Sequence, residues 1–542
     1  MIQNLLERAK NSIPTLLDLS TAQKNEILKE MSESILQNSD LILQANHKDM
    51  ENAKQSHLDE ISLNRLFLNQ NRVNNIAQKL LVIASLDDPV GDILESWTNQ
   101  DKLKIEKVSV PIGVIAVIYE SRPNVTSDTA ALCFKSANVC ILKGGKEANY
   151  SNHAIAKILQ DVLEKNHLPR EIISFLEHWK REDLLKLIQE DRYIDLIIPR
   201  GGAELNQFVS KNATMPIIQQ DRGLCHIYIH EKADMGKALE IAINAKCEHP
   251  AVCNAAETLL IDKSVAKEIL PLLQNVYKKA NTKLKGCKNT QHIIPVEEAK
   301  EKDFDTEYLD NILNIKIVNN LDEAISHINR YNTNHSEAIV TEDANAAKAF
   351  MHKVDASCIY QNTSTKFTDG NTFGLGAEVG ISTSKLHARG PIGLKELTIY
   401  KYKIYGDGQI KVDWLERFGY VGLLSTIILG ALLSFLPFSL VMLPIGYFSN
   451  LNDVPLLLTL LGGIISIYAI TAKKPTFKIL HTIMKKNENL ARFIHRQIKG
   501  LEQFSSLPSA LSKMPAKGIM IYKILNTTFW VSIMTLVGYA LA

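Results

Sequence analysis

The chain has 542 residues, yet it contains no G-x-G-x-x-G fingerprint, no C-x-x-C pair and no strong excess of either charge. The missing fingerprint removes the usual sequence sign of a dinucleotide-binding turn. Seven cysteines without paired spacing fit neither a disulfide framework nor a standard zinc site. Thiols of this kind point to a reducing compartment. A formal net charge of +2 gives no argument for nucleic acid or for a strongly acidic partner. The N-terminal MIQNLLERAKNSIP has no uninterrupted apolar core, so it is not read as a signal peptide. Internal repeats and low-complexity linkers are absent as well.

Charge itself is missing from parts of the tail. No charged residue occurs from Phe418 to Phe448, from Val454 to Ala472, or from Ile524 to Ala542. A helix needs roughly 20 apolar residues to span a bilayer. Pro437 and Pro444 shorten the first run, so the expected spans are 418–437, 454–472 and 524–542. Lys401, Lys403, Lys411 and Arg417 precede the first run, and eight Lys and Arg lie between Lys473 and Lys499. The positive-inside rule then puts the N-terminal part and the 473–523 loop in the cytoplasm and the C-terminus on the other side. Pro475 to Leu501 reads as a basic amphipathic helix suited to an anionic membrane surface.

What is present before residue 412 reads as α/β. Residues 1 to about 95 carry helical spacing of apolar positions. From about 105, β-branched runs alternate with helical stretches: PIGVIAVIYE, NVCILK, IISFLE and YIDLIIP, then LCHIYIH, ETLLID and IKIVNN. Such alternation argues for parallel sheets with helices on both faces, in two units. ELTIYKYKIYG at 396–406 reads as a further strand able to pair with another element or subunit.

Several segments bear chemistry. Cys253 sits among small residues in HPAVCNAAETLLI, where a planar substrate and a cofactor ring can approach the sulfur. A lone cysteine is more often a buried structural residue. Cys247, His249 and Cys253 lack a second ligand pair, so no metal is expected. Arg200, Gly201 and Gly202 follow one strand, and Lys143, Gly144 and Gly145 follow another; such turns expose backbone N–H groups to anions, although each is also an ordinary tight turn. Arg122, in YESRPNV at a strand end, is placed to clamp a carboxylate or phosphate. FTDGNTFGLGAEVGISTSKLHARGPIGL is glycine-rich and carries Lys385, His387 and Arg389, a composition suited to a loop around an anion.

Taken in order, VPIGVIAVIYESRPNVTSD, ILKGGKEANYSN, DLIIPRGGAEL, PAVCNAAETLL and the glycine-rich stretch closely resemble the γ-glutamyl phosphate reductase family of the aldehyde dehydrogenase superfamily, over residues 1 to about 410. The resemblance implies an aldehyde-dehydrogenase-like fold. Residues 1–224 would hold the NADPH-binding domain, 225–365 the catalytic domain, and 366–412 the substrate loop and an oligomerisation strand of a small flap; 413–542 would be the membrane region.

It also implies NADPH-dependent reduction of L-glutamyl 5-phosphate to L-glutamate 5-semialdehyde in proline biosynthesis. Cys253 would be the nucleophile. Backbone N–H at Cys253, with Asn254 beside it, and the Arg122–Asn124 turn would face the oxyanion. Lys143, Gly144, Gly201, Gly202 and Glu307 would hold the cofactor. Arg122, Lys385, Arg389, Gly374 and Gly376 would hold substrate. A homo-oligomer and glutamate 5-kinase are the implied partners. Hydrolytic relatives need a glutamate near Gly223 and Leu224, and none stands there. Gln219, Gln220, Asp221 and Arg222 depart from the small residues usual in the family, and the tail after 412 is an addition to it. Two other readings stay open: an inactive platform on a membrane protein, and a reductase of a related acyl phosphate.

Overall fold

In the computed structural model, residues 2–177, 181–219 and 222–410 are described. The three expected spans and the basic 473–523 segment lie outside them. Among the described residues no helix is long and apolar enough to cross a membrane.

The N-terminal helices are set by their caps. Ser20 and Gln23 form a capping box at the start of helix Thr21–Gln37, and Asn69 caps helix Gln70–Ser85. Their apolar faces pack on helix Pro123–Lys135, which is buried along almost its whole length.

The strands in chain order are β1 (Ile93–Thr98), β2 (Lys104–Pro111), β3 (Val114–Tyr119), β4 (Val139–Lys143), β5 (Ile173–Phe175), β6 (Leu196–Arg200), β7 (Cys225–Ile229), β8 (Ala256–Asp262), β9 (Lys283–Gly286), β10 (Glu297–Glu298), β11 (Ile312–Val318), β12 (Ser336–Val340), β13 (Cys358–Gln361), β14 (Ile381–Ser382), β15 (Gly390–Pro391) and β16 (Thr398–Tyr405). One parallel sheet has the order β5-β4-β3-β6. The larger parallel sheet runs β10-β9-β11-β8-β7-β12-β13. Both faces of these sheets are covered, so β3 and β8 are buried at every position; β3 reads as a continuous apolar run, while β8 carries Glu257 into the interior, paired with Lys246 at 2.9 Å.

β12 likewise holds a carboxylate in a fully buried strand: Glu337 pairs with His226 of β7 at 3.0 Å. Burial pushes the Glu337 carboxyl up, and His226 pulls it back.

The third sheet is antiparallel, β1-β2-β16, with β16 matched to β2 from Thr398 opposite Pro111 to Tyr405 opposite Lys104. Trp97 meets the edge of Tyr402 at 6.0 Å, yet Tyr402 and Ile404 stay more than half exposed. In the first sheet the chain steps outward through β4 and β5, then returns to the other side of β3 as β6. The carboxyl ends of β3 and β6 therefore form a topological switch point, where α/β sheets open a crevice for ligands.

Candidate active site

The turn after β3 (Glu120, Ser121, Arg122) and the turn after β6 (Gly201, Gly202) flank the switch point. With the turn that precedes β8 they wall a cleft of about 1140 Å³, and Cys253 lies in that wall. None of the seven cysteines forms a disulfide.

Cys253 is held through its backbone. A Cβ built on Gly223 would stand 2.0 Å from the Cys253 carbonyl oxygen and 2.7 Å from its Cα, so only glycine permits this approach. The Gly223 N–H donates to Glu307 Oε1 at 2.8 Å, which fixes that glycine. The Cys225 thiol donates to the Cys253 carbonyl at 3.2 Å. The next residue is anchored as firmly. Asn254 Nδ2 donates to the carbonyls of Lys366 and Thr368 at 3.2 and 3.1 Å, and the Thr365 hydroxyl donates to the Asn254 carbonyl at 2.8 Å. The two Nδ2 bonds use the amide hydrogens of Asn254, and its Oδ1 is buried without a partner among the described residues.

Cations line the same cleft as Cys253. Burial, then the neighbouring Arg200, lowers the Arg122 guanidinium to about 10, so it stays charged at neutral pH. Neither Arg122 nor Arg200 makes a side-chain hydrogen bond or ion pair among the described residues, so both are available to an anion. Lys366, whose Nζ donates to the His249 carbonyl at 3.2 Å, is pushed down by burial and back up by Glu248 and by Cys253. Positive charge of this kind favours a thiolate over a thiol.

The other expected residues divide into groups. Gly201, Gly202 and Glu307 line the same cleft as Cys253 and Arg122. A Cβ on Gly202 would meet nothing within 4 Å, so the space over the start of helix Ala203–Asn212 is open. That opening fits a cofactor phosphate, although the Gly202 N–H already donates to Glu120 Oε2 at 3.0 Å.

Asn124 lines a smaller recess beside the cleft and donates to Asp128 Oδ2 at 3.3 Å. Lys143 and Gly144 do not line the cleft; Lys143 Nζ donates to the Gly144 carbonyl at 2.6 Å. Lys385 and Arg389 are ion-paired to one carboxylate, Asp355, away from the lining of the cleft. Gly374 and Gly376 adopt φ of +77° and +71° and line a separate, shallow depression with Asn75, Lys79 and Val82. Gln219 and Arg222 line the cleft, and Arg222 reaches Asp305 at 3.0 Å; Gln220 and Asp221 lie outside the described residues.

Sequence reasoning placed Arg200 in the turn with Gly201 and Gly202 but gave its side chain no role, and it missed Lys366, Asp128 and Glu378 as site residues, which carried no local signal.

Comparison with known proteins agrees with this geometry. The model of the aldehyde dehydrogenase family matches residues 1–312. A gamma-glutamyl phosphate reductase of Nitratiruptor sp. is 55% identical over 411 residues, covering 76% of this chain and all of the relative. One from Sulfurovum sp. is 56% identical over 410 residues, again 76% of this chain and all of the relative. The crystal structure of the Thermotoga maritima gamma-glutamyl phosphate reductase superposes with a TM-score of 0.74 at 42% identity, over 76% of this chain and 99% of that one. The chain belongs to the aldehyde dehydrogenase family and, within it, to the gamma-glutamyl phosphate reductases.

Proposed function

We propose that the protein reduces L-glutamyl 5-phosphate to L-glutamate 5-semialdehyde and phosphate, the reductive step of proline biosynthesis, with NADPH as the electron donor. The observation that carries this reading is Cys253 in a cleft with two guanidinia, Arg122 and Arg200, neither of which has a hydrogen-bonded or ion-paired side-chain partner among the described residues.

The Cys253 thiolate attacks the acyl carbon; a C–S bond forms, the C–O bond to phosphate breaks, and phosphate leaves with the electron pair. Arg122 stabilises the negative charge on the carbonyl oxygen and the departing phosphate. NADPH, when bound, supplies the hydride that reduces the resulting thioester. The oxyanion then collapses, the C–S bond breaks back to thiolate, and the aldehyde is released. No water is activated, in keeping with the absence of a glutamate at Gly223 or Leu224.

Gly201, Gly202, Glu307 and the start of helix Ala203–Asn212 would hold the cofactor. Lys143 at the end of β4 is the candidate for the phosphate that distinguishes NADPH from NADH, and Lys143→Ala should lower the preference for NADPH. The test of the reaction is phosphate-dependent NADP reduction with glutamate 5-semialdehyde. A rate no higher than that of a Cys253→Ser control would overturn the reading and favour the inactive platform.

Three further expectations belong to the same proposal. The exposed aromatic face of the β1-β2-β16 flap supports a homo-oligomer. The uncharged runs after Phe418 support a membrane anchor that keeps the catalytic part in the cytoplasm and the C-terminus on the other side, and a full-length protein that stayed soluble without detergent would contradict it. Glutamate 5-kinase is the natural partner, because an acyl phosphate is activated toward water and gains from direct transfer.

A further inference from the structure

The recess beside the cleft has a volume of about 170 Å³ and shares Arg122, Arg200, Asp369 and Glu378 with the wall of the larger cavity. Asp128 lines it and is only 5% exposed. Lys79 at 3.1 Å and Asn124 serve one of its carboxylate oxygens, while Oδ1 is buried with no partner among the described residues. The neighbouring Thr129 hydroxyl is buried and unpartnered as well. A buried acceptor without a donor costs free energy, so a donor is expected to enter the recess. The chemistry at Cys253 uses only the acyl phosphate end of a substrate and leaves Asp128 without a role.

A recess that holds a carboxylate with one unserved oxygen beside a guanidinium without an ion-paired partner matches a zwitterion, not a simple anion. Resting on the reductase reading above, we propose that it receives the amino-acid head of the substrate, with Asp128 facing the α-ammonium and Arg200 the α-carboxylate. Gly380 leaves room for the Arg200 guanidinium, since a Cβ there would stand 2.9 Å from Nη1. Asp128 is thus a specificity residue that selects an α-amino acyl phosphate over one lacking the amine.

The experiment compares L-glutamate 5-semialdehyde with glutaric semialdehyde, which lacks only the amine, in the phosphate-dependent direction and with the full-length protein. Wild type should prefer the amino substrate in kcat/KM by at least about tenfold. Asp128→Asn should narrow that ratio, through a raised KM for the amino substrate. Equal loss on both substrates, or none on either, overturns the proposal. A second measurement needs no variant: L-glutamate should inhibit wild type at least about tenfold more tightly than glutarate, and equal inhibition overturns the proposal. Turnover of neither aldehyde by wild type would instead sink the reductase reading, and the recess assignment with it.

Discussion

Gly223→Ala puts the placement of Cys253 to a quantitative test. The added Cβ would begin 2.0 Å from the Cys253 carbonyl oxygen, against about 3.4 Å for ordinary contact. The turn must therefore move by ~1.4 Å, and the obstructing atoms are backbone, which cannot rotate aside. Overpacking of this kind costs about 1–3 kcal/mol of stability. The catalytic cost is larger, because displacing a reacting group by roughly 1 Å lowers rates by about 10²-fold. Glu307 adds to the effect, since it holds the same glycine through its N–H. The variant should fold with a slightly lowered Tm and lose about 10²-fold in kcat for phosphate-dependent NADP reduction. The rate of Cys253 alkylation should change as well. A kcat within about threefold of wild type, in a variant whose Tm is unchanged, would refute the idea that this close approach positions the nucleophile.

Three other outcomes follow from the structure. Arg122→Met should lower kcat/KM by about 10²–10³-fold, the usual cost of losing one donor to a developing oxyanion, with little change in Tm. Lys246→Met should destabilise the protein by about 3–5 kcal/mol in denaturant titration, because it strands Glu257, whose only ion-pair partner in the described residues is Lys246 at 2.9 Å and whose carboxyl burial already raises to about 7. His335 is fully buried and lowered by burial from 6.5 to about 4, so in that interval the unfolded chain binds the extra proton. Its contribution to stability is present above pH 6.5 and lost as pH falls toward about 4, and His335→Leu should lose less stability than wild type over that interval by up to ~3 kcal/mol in denaturant melts.

The α/β class was legible because most strands of the two parallel sheets are buried on both faces and read as apolar runs between helices. β3, β4, β6, β7, β8 and β11 all announced themselves in this way. β12 did not: Ser336 and Glu337 leave it only three apolar residues in sequence, and the His226 that pairs with Glu337 lies 111 residues away. β1 and the beginning of β2 are exposed strands with mixed polarity, so their alternation carries little signal.

Cys253 and Arg122 were readable from motifs whose neighbours in sequence are neighbours in space. The recess was not. Asp128 and Lys79 come together only because helix Gln70–Ser85 packs on helix Pro123–Lys135, and neither helix hints at the other. For Lys385 and Arg389 the basic, glycine-rich stretch was legible, but their shared ion pair with Asp355, about 30 residues earlier, was not.

The central claim is that Cys253 carries the acyl group, and a single turnover without phosphate tests it most directly. Mixing the protein with L-glutamate 5-semialdehyde and NADP should give a burst of NADPH close to one per chain. After rapid acid quench, the mass of one glutamyl group should be found on the peptide that contains Cys253, and added phosphate should discharge it. A burst that persists in Cys253→Ser, or an adduct on another cysteine, would contradict the account.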